Sequence, residues 1–365
     1  MTLHVTILDP RKDGAKVRLA WGALADRLRT TELGHDVEWF WASLDWFSPP
    51  ERDLRVLVVT DGGRPVALLP LEKRRVHAGP LPILVLGFIH HPAAPAGTAL
   101  LVAGNHDAVG EAFVACLDDQ YRSWRCLSLE GLEHGAPWER AVRAQLAARV
   151  IAVEREQNPE CYLDFGGSWD QFLASRRPKF RQLYRRYGQT LRSMGCAYSD
   201  RVGETALCLD ALEQVDRNSW RVDKQESWEK NDSLLRYCRV LQELYPRATS
   251  HVLRCLALEG RPIAGFYGLR HGDVLHAIKL NYDRAYEDHS PGMVLLTEVI
   301  RESFGTGVAR MEVRTHTPFA QRMTNATRQL SKTLLFNRRS LGVMLGPALR
   351  LGVIAKRRWA KAATA

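Results

Sequence analysis

The stretch Asn281-Tyr282-Asp283-Arg284-Ala285-Tyr286-Glu287-Asp288-His289-Ser290-Pro291-Gly292-Met293 gathers the residues best able to do chemistry. It leaves an apolar strand pattern and enters an apolar helix pattern. Ser290 suits the helix N-cap and Pro291 the first helical position, where a missing N–H costs nothing. Gly292 keeps the first turn open. Such a helix start presents backbone N–H groups and the positive end of the helix dipole, so it can hold a phosphate. The other reading is a well-capped helix and nothing more. Two further groups suit anionic or ring-bearing ligands. Trp220 stands among Arg217, Arg221 and Lys224, where an indole can stack on a sugar or base, or simply anchor a helix end. Arg177, Arg181, Arg185 and Arg192 recur on one face of a helical pattern, with no acid from 171 to 199. A solvated helix normally intersperses Glu to gain pairs along its face.

These residues need a scaffold, and the apolar periodicity supplies one. Phe172, Phe180, Leu183, Tyr184, Tyr187 and Leu191 fall at helical spacing over 169–191. Helical patterns follow over 205–220 and 234–244. Strand patterns fill 252–258, 262–269 and 274–282, then a helix 291–304 and a strand 309–313. That order builds a mixed sheet with helices packed on it. The first half carries an echo: Gly63-Arg64-Pro65-Val66-Ala67 returns as Gly260-Arg261-Pro262-Ile263-Ala264, each between two strand patterns. A tight Gly turn between strands is a hairpin signal, and its recurrence predicts a duplicated α/β unit.

For 365 residues the expectation is two domains of ordinary size. Hydrophobic content of 45% and charged content of 25% exclude a disordered chain, a fibrous repeat and a membrane bundle. The net charge of +10 is unevenly placed: no acid follows Glu312, while 11 of the 51 Lys and Arg do. The remaining 40 face 41 acids, and setting aside the seven bases of 171–199 leaves 33 against 41. One helix and one tail therefore carry the positive charge, which argues against a uniformly basic nucleic-acid binder. The seven scattered cysteines form no CxxC pair, so neither a disulfide framework nor a metal site is expected. Residues 1–16 lack the apolar core of a signal peptide, and no window reaches the roughly 18 apolar residues of a membrane span. A reducing, cytoplasmic compartment is the expectation.

Taken together, motifs and element order resemble the GNAT-fold acetyltransferases of the cellulose-biosynthesis CelD/BcsL type, relatives of the FemABX aminoacyl transferases. The likeness rests on Arg176-Arg177-Pro178-Lys179-Phe180-Arg181, the Trp220 region, Gly260-Arg261-Pro262-Ile263-Ala264, and Tyr282-Asp283 leading to Ser290-Pro291-Gly292. In the first half Trp39-Phe40-Trp41 and Val66-Ala67-Leu68-Leu69-Pro70-Leu71 fit as well. The resemblance implies an α/β (α+β) fold of tandem GNAT-like domains, each a mixed, mostly antiparallel sheet flanked by helices. The divisions would be 1–155, 156–337 and a basic amphipathic tail, 338–365. The implied activity is an acyl-CoA-dependent N- or O-acyltransferase, acting on a small-molecule, sugar or polysaccharide-precursor acceptor with acetyl-CoA as the first candidate co-substrate. Its pyrophosphate would lie on the backbone of Ser290, Pro291, Gly292 and Met293, with Tyr282 and Tyr286 beside the donor. Arg177, Arg181, Arg185, Arg217, Trp220 and Arg314 would meet the acceptor. Such an enzyme aligns amine or hydroxyl with thioester, removes one proton and stabilises an oxyanion.

Departures from the resemblance matter as much. Relatives carry an Asp in the strand after this helix and a Tyr-Lys pair beyond it; here Met311 and Phe319-Ala320 stand in those places. His316, Glu312 and Arg314 are the polar residues left to replace them. His316, an imidazole that titrates near neutral pH, and Asp283 are the candidate bases. Their plainer readings are an exposed loop histidine and a strand-end turn residue. The same fold admits an aminoacyl-tRNA donor, tracked by the basic helix and tail, or a catalytically inactive binding protein. After Asn337, Trp359 sits among Lys356, Arg357, Arg358 and apolar residues, a composition suited to an anionic membrane surface. Peripheral attachment at the inner face of the membrane follows from that reading.

Overall fold

The computed structural model describes residues 3–338, apart from 31, 48–51, 79–80, 90–99, 122–123, 134, 201–204, 220–221, 223–231 and 246–249. Trp220 and the tail from 339, with the membrane expectation it carries, lie outside the described residues. The chain opens with β1 (Leu3–Leu8), α1 (Gly14–Leu28), a 3-10 turn (Leu33–His35), α2 (Val37–Phe47), β2 (Asp53–Asp61) and β3 (Arg64–Ala78). Then come β4 (Leu81–Phe88), β5 (Leu101–Val102), α3 (His106–Gln120), β6 (Cys126–Glu133), α4 (Pro137–Leu146) and β7 (Val150–Glu156). β8 (Glu160–Asp164) closes this first run, and the second starts with α5 (Trp169–Ser175), α6 (Pro178–Ser193), β9 (Ala197–Asp200), α7 (Thr205–Arg217) and α8 (Asp232–Leu244). It continues through β10 (His251–Leu258), β11 (Arg261–His271), β12 (Val274–Tyr282), a 3-10 segment (Arg284–His289) and α9 (Pro291–Ser303). It closes with β13 (Arg310–Glu312), α10 (Pro318–Met323), β14 (Ala326–Arg328) and β15 (Leu330–Asn337).

Two mixed sheets result, ordered β1-β2-β3-β4-β6-β15-β7 and β9-β10-β11-β12-β13-β8-β14, with β5 added to β3. Position by position they match. The first four strands are antiparallel, the fourth and fifth are parallel (β4 with β6, β12 with β13), and the last two are antiparallel again. The sixth place in each sheet is filled from the other run of chain. β8 follows β7 in sequence yet joins the second sheet; β15 follows β14 yet lies between β6 and β7 in the first. The linear division at 155/156 therefore does not describe the sheets, because β15 lies within 156–337 and pairs with the first sheet.

The repeated pentapeptide sits at the same turn in both copies. Gly62 and Gly63 have φ of 54° and 82°, Glu259 and Gly260 have 51° and 79°. Two successive left-handed residues suit the right-handed twist of a two-residue hairpin. One residue on, each hairpin bulges: the register passes from Val59↔Ala67 to Thr60↔Pro65, and from Leu256↔Ala264 to Ala257↔Pro262. Proline has no ladder N–H, so a bulge is where a strand tolerates it.

Helices cover both faces of each sheet. Leu57, Val59, Leu127 and Leu335 pack on Phe113, Leu117 and Trp138 of α3 and α4, while Val56, Val58 and Leu68 pack on Trp21, Phe40 and Leu44 of α1 and α2. In the second sheet Leu163, Phe266, Leu275 and Met311 pack on Phe172, Phe180, Leu295 and Val299 of α5, α6 and α9. Each fully buried side chain of this kind contributes about 1.5–3 kcal/mol. The helical pattern of 169–191 is two helices, not one. Arg177 has ψ 142°, since the proline ring at 178 disfavours a helical residue before it, and α6 restarts with Pro178 at its first turn. The two halves also share a core, in which Leu33, Trp39 and Ala42 meet Tyr237, Leu241 and Leu269. Polar ties join it: Tyr245 donates to Asp36, His271 lies 3.3 Å from the same carboxylate, and Arg310 pairs with Glu32.

Candidate functional site

The parallel pair β12/β13 lasts three residues, Val274↔Arg310, Leu275↔Met311 and His276↔Glu312. Beyond it the strands part. Val313 and Arg314 both donate their N–H to the Cys161 carbonyl of β8 (3.2 Å each), which turns the chain away from β12, and Arg314 adopts φ 60°. On its other edge β12 carries a bulge at Ile278, since Tyr267 faces Lys279 while Gly268 faces Ala277. Divergence on one side and a bulge on the other make a fork whose open edge runs along 277–282.

The far end of β12 is firmly tied down. Asp283 accepts from the Ala285 N–H (3.0 Å) and pairs with Arg261 (2.9 Å), and its own N–H donates to Ile263 (2.8 Å). Only 3% of the residue is exposed. Both carboxylate oxygens are thus engaged in holding the strand end and starting the 3-10 segment. Lys279 and Asn281, also buried, bind Asp216 of α7, which fastens β12 to that helix.

After the 3-10 segment Ser290 turns left-handed (φ 45°, ψ 51°), and its side chain makes no cap bond. The expected serine cap is absent because that conformation carries the hydroxyl away from the first turn. Pro291 and Gly292 are buried, and a Cβ on Gly292 would meet the Tyr282 ring at 3.0 Å. Tyr282, Tyr286, Ser290, Pro291, Gly292 and Met293 therefore come together where β12 ends and α9 begins, with both tyrosines and Met293 packed at the edge of the second core. Burial, then Glu287, pushes the Tyr282 phenol up. The first turn of α9 has no side-chain cap; Pro291 has no N–H and the Met293 N–H donates to the Ser290 carbonyl (3.0 Å), which leaves the Gly292 N–H as the donor open to an anion there.

The remaining candidates fall elsewhere. His316 is exposed just before α10, with the Gln321 amide 2.7 Å from its Nε2. Arg177 and Arg185 are exposed and Arg181 is half-buried on α6, which packs against α9, and none of the three makes an ion pair with another described residue. Arg217 pairs with Glu213 one turn back (2.8 Å), an ordinary helix-surface bridge. Arg314 lies at the fork.

Sequence reading named Glu312 and Arg314 but missed His276, which completes a buried polar face beside that fork. Glu312 is fully buried between Arg328 (2.6 and 3.1 Å) and Arg310 (2.7 Å). Burial pushes its carboxyl up, against the pull of Arg328, Arg310 and Arg314. His276, across from it, is fully buried, and burial followed by the charges of Arg314, His271, Arg310 and Arg328 holds it well below the usual histidine range. The signal was present: Leu275-His276-Ala277-Ile278-Lys279-Leu280-Asn281 places polar residues inside a strand too buried to shed them.

Residues 178–316, from α6 to just beyond β13, match the family described as acetyltransferase (GNAT) domain. No curated protein matches the sequence. Among solved structures, a conserved protein of unknown function from Bacteroides thetaiotaomicron aligns with TM-score 0.51 at 12% identity, over 92% of this chain and 100% of that one. The C-terminal domain (DUF2156) of a putative lysylphosphatidylglycerol synthetase from Agrobacterium fabrum aligns with TM-score 0.50 at 8% identity, over 92% and 96%. A tandem GNAT protein from the clavulanic acid biosynthesis pathway aligns with TM-score 0.47 at 14% identity, over 91% and 98%. At such identities the first two alignments establish a shared fold.

Proposed function

We propose that this protein transfers an acyl group from acyl-CoA to an amine or hydroxyl, with the donor at the β12/β13 fork and the acceptor entering between the two halves. The observation that carries the reading is the fork followed directly by an uncapped helix start seated, through Gly292, on Tyr282. The family match over 178–316 supports the chemical class. Within that class, the CelD-type motifs favour a sugar or polysaccharide-precursor acceptor and a cytoplasmic location. The α9 start would receive the pyrophosphate, with Tyr282 and Tyr286 alongside. Backbone N–H groups on the open edge of β12 would meet the thioester carbonyl and the oxyanion that develops from it. His316 is our candidate to accept the acceptor's proton. Asp283, already engaged by Arg261 and Ala285, acts as a positioning residue.

A thermal-shift series with acetyl-CoA and longer acyl-CoAs tests this. A ligand bound only by the native state adds about 2.7 kcal/mol at a hundred times its Kd. Absence of any shift across the series sinks the CoA reading. The unpaired cations of α6 favour one other donor, aminoacyl-tRNA. That reading requires tRNA retention with a steep salt dependence and no acyl-CoA shift.

A further inference from the structure

On the sheet face that meets α2 and α8, several buried polar atoms have no hydrogen-bond partner among the described residues. Neither ring nitrogen of fully buried His276 has a hydrogen-bond partner. Its neighbour on β11 is Leu269, which packs with Trp39, Ala42 and Tyr237, so the imidazole lies where both halves of the chain cover the sheet. The Trp39 indole N–H is likewise buried and unpartnered, its ring edge-on to Tyr237 at 5.2 Å. Arg314 stands two residues beyond Glu312, the partner of His276 across the parallel junction, where β13 ends.

Arg314 is the telling residue. Its Nε and Nη2 are buried without partners, although Glu312 and Glu160 are near enough to act on it. Those carboxylates are hydrogen-bonded to Arg328 instead. Nε and Nη2 form the side-on edge of a guanidinium, the pair of parallel donors that matches two oxygens of a carboxylate or phosphate. The backbone holding this edge is left-handed, a conformation unfavourable for a residue with a Cβ and fixed here by the Cys161 carbonyl. Roughly 90% or more of buried polar groups are satisfied in folded proteins, so a cluster of orphaned donors at one junction points to a missing acceptor.

We propose that Arg314 and His276 receive an oxyanion of the acceptor, a carboxylate or phosphate, at the junction of the two halves beside the end of β13. The assignment rests on the reading of the β12/β13 fork as the acyl-transfer site. Arg314 takes two oxygens along its side-on edge, and His276 donates the N–H of its neutral ring. An acceptor gripped at its anionic end leaves its amine or hydroxyl free to face the thioester.

The test uses the full chain with inorganic phosphate and succinate as probes, followed by 15N-imidazole NMR of His276 and by Tm. Saturable movement of the His276 signals is expected, with the tighter probe identifying the oxyanion. Arg314→Lys keeps the charge but loses the fork, and His276→Gln keeps an N–H donor. The first should weaken the tighter probe about tenfold or more while the second weakens it less. His276 signals unmoved by either probe, or equal Tm gains in wild type and Arg314→Lys, overturn the site. Displacement of phosphate by acetyl-CoA assigns the oxyanion to the donor and overturns the acceptor assignment. Anion binding without any acyl-CoA shift leaves the receptor standing and removes the acyltransferase reading; the reverse result removes the receptor alone.

Discussion

In the first sheet the third pair of the parallel junction is Gly87↔Ser128, and a Cβ on Gly87 would meet the Ser128 carbonyl oxygen at 3.1 Å. The same pair in the second sheet is His276↔Glu312. Two residues further on, the first sheet has Glu130, paired with Arg74 (3.3 Å) and Lys332. The second has Arg314 with its side-on edge unpaired. The helix starts differ in the same sense. Asn105 caps α3 by accepting from the Asp107 and Ala108 N–H groups (3.0 and 3.1 Å), whereas α9 starts from a left-handed Ser290 with no side-chain cap. One copy pairs its polar groups internally, while the other leaves His276 and the side-on edge of Arg314 without hydrogen-bond partners among the described residues. A duplicated frame allows this, because the closed copy can supply rigidity while the open one tolerates unsatisfied groups.

That contrast can be broken by experiment. The largest effect should come from Glu312→Ala, which leaves Arg328 and Arg310 facing each other beside a buried site and costs about 3–5 kcal/mol in a denaturant melt. Glu130→Ala should cost roughly half as much, since Arg74 and Lys332 are better solvated. Equal losses would mean that the two junctions are equally buried structural joints. Next, Gly292→Val should abolish the acetyl-CoA thermal shift, worth about 3 kcal/mol near saturation. Gly87→Ala should lower stability by about 1–3 kcal/mol through overpacking and leave that shift intact.

A third measurement concerns acid. An imidazole whose native pKa lies below its unfolded one binds fewer protons folded than unfolded as pH falls through the ordinary histidine range. Acid therefore favours the unfolded chain. His276, His35 and His251 are all lowered, in each case first by burial, so stability should fall below about pH 6.5, by up to about 1.4 kcal/mol per pH unit for each group. His276→Gln should flatten that slope, and an unchanged slope would show that this ring is accessible to protons. The smallest effects separate the two helix starts: Asn105→Ala should cost about 1 kcal/mol, Ser290→Ala within about 0.5 kcal/mol.

Local signals made much of this legible. The hairpins were readable because a Gly turn and a proline at the bulge are written in adjacent residues. The α9 start was readable from Ser290-Pro291-Gly292, although its serine turned out to be left-handed rather than a cap. The strand exchange was not, since β7 with β8 and β14 with β15 are joined by connections so short that they read locally as hairpins. Which sheet a strand joins is decided by packing far away in sequence. Asp283 drew attention as a carboxylate at the end of a strand, but only the fold reveals Arg261 beside it. His276 and Arg314 needed the two halves in place before their lack of partners could be seen.

The exchanged strands also set a timetable for synthesis. The slot between β6 and β7 stays empty until β15, which ends at Asn337, has left the ribosome, so the first sheet cannot close while the second is being made. A nascent chain stopped before Leu330 would hold two unpaired strand edges open to other chains. The first half of this protein to be translated is thus completed by the last strand of its described fold.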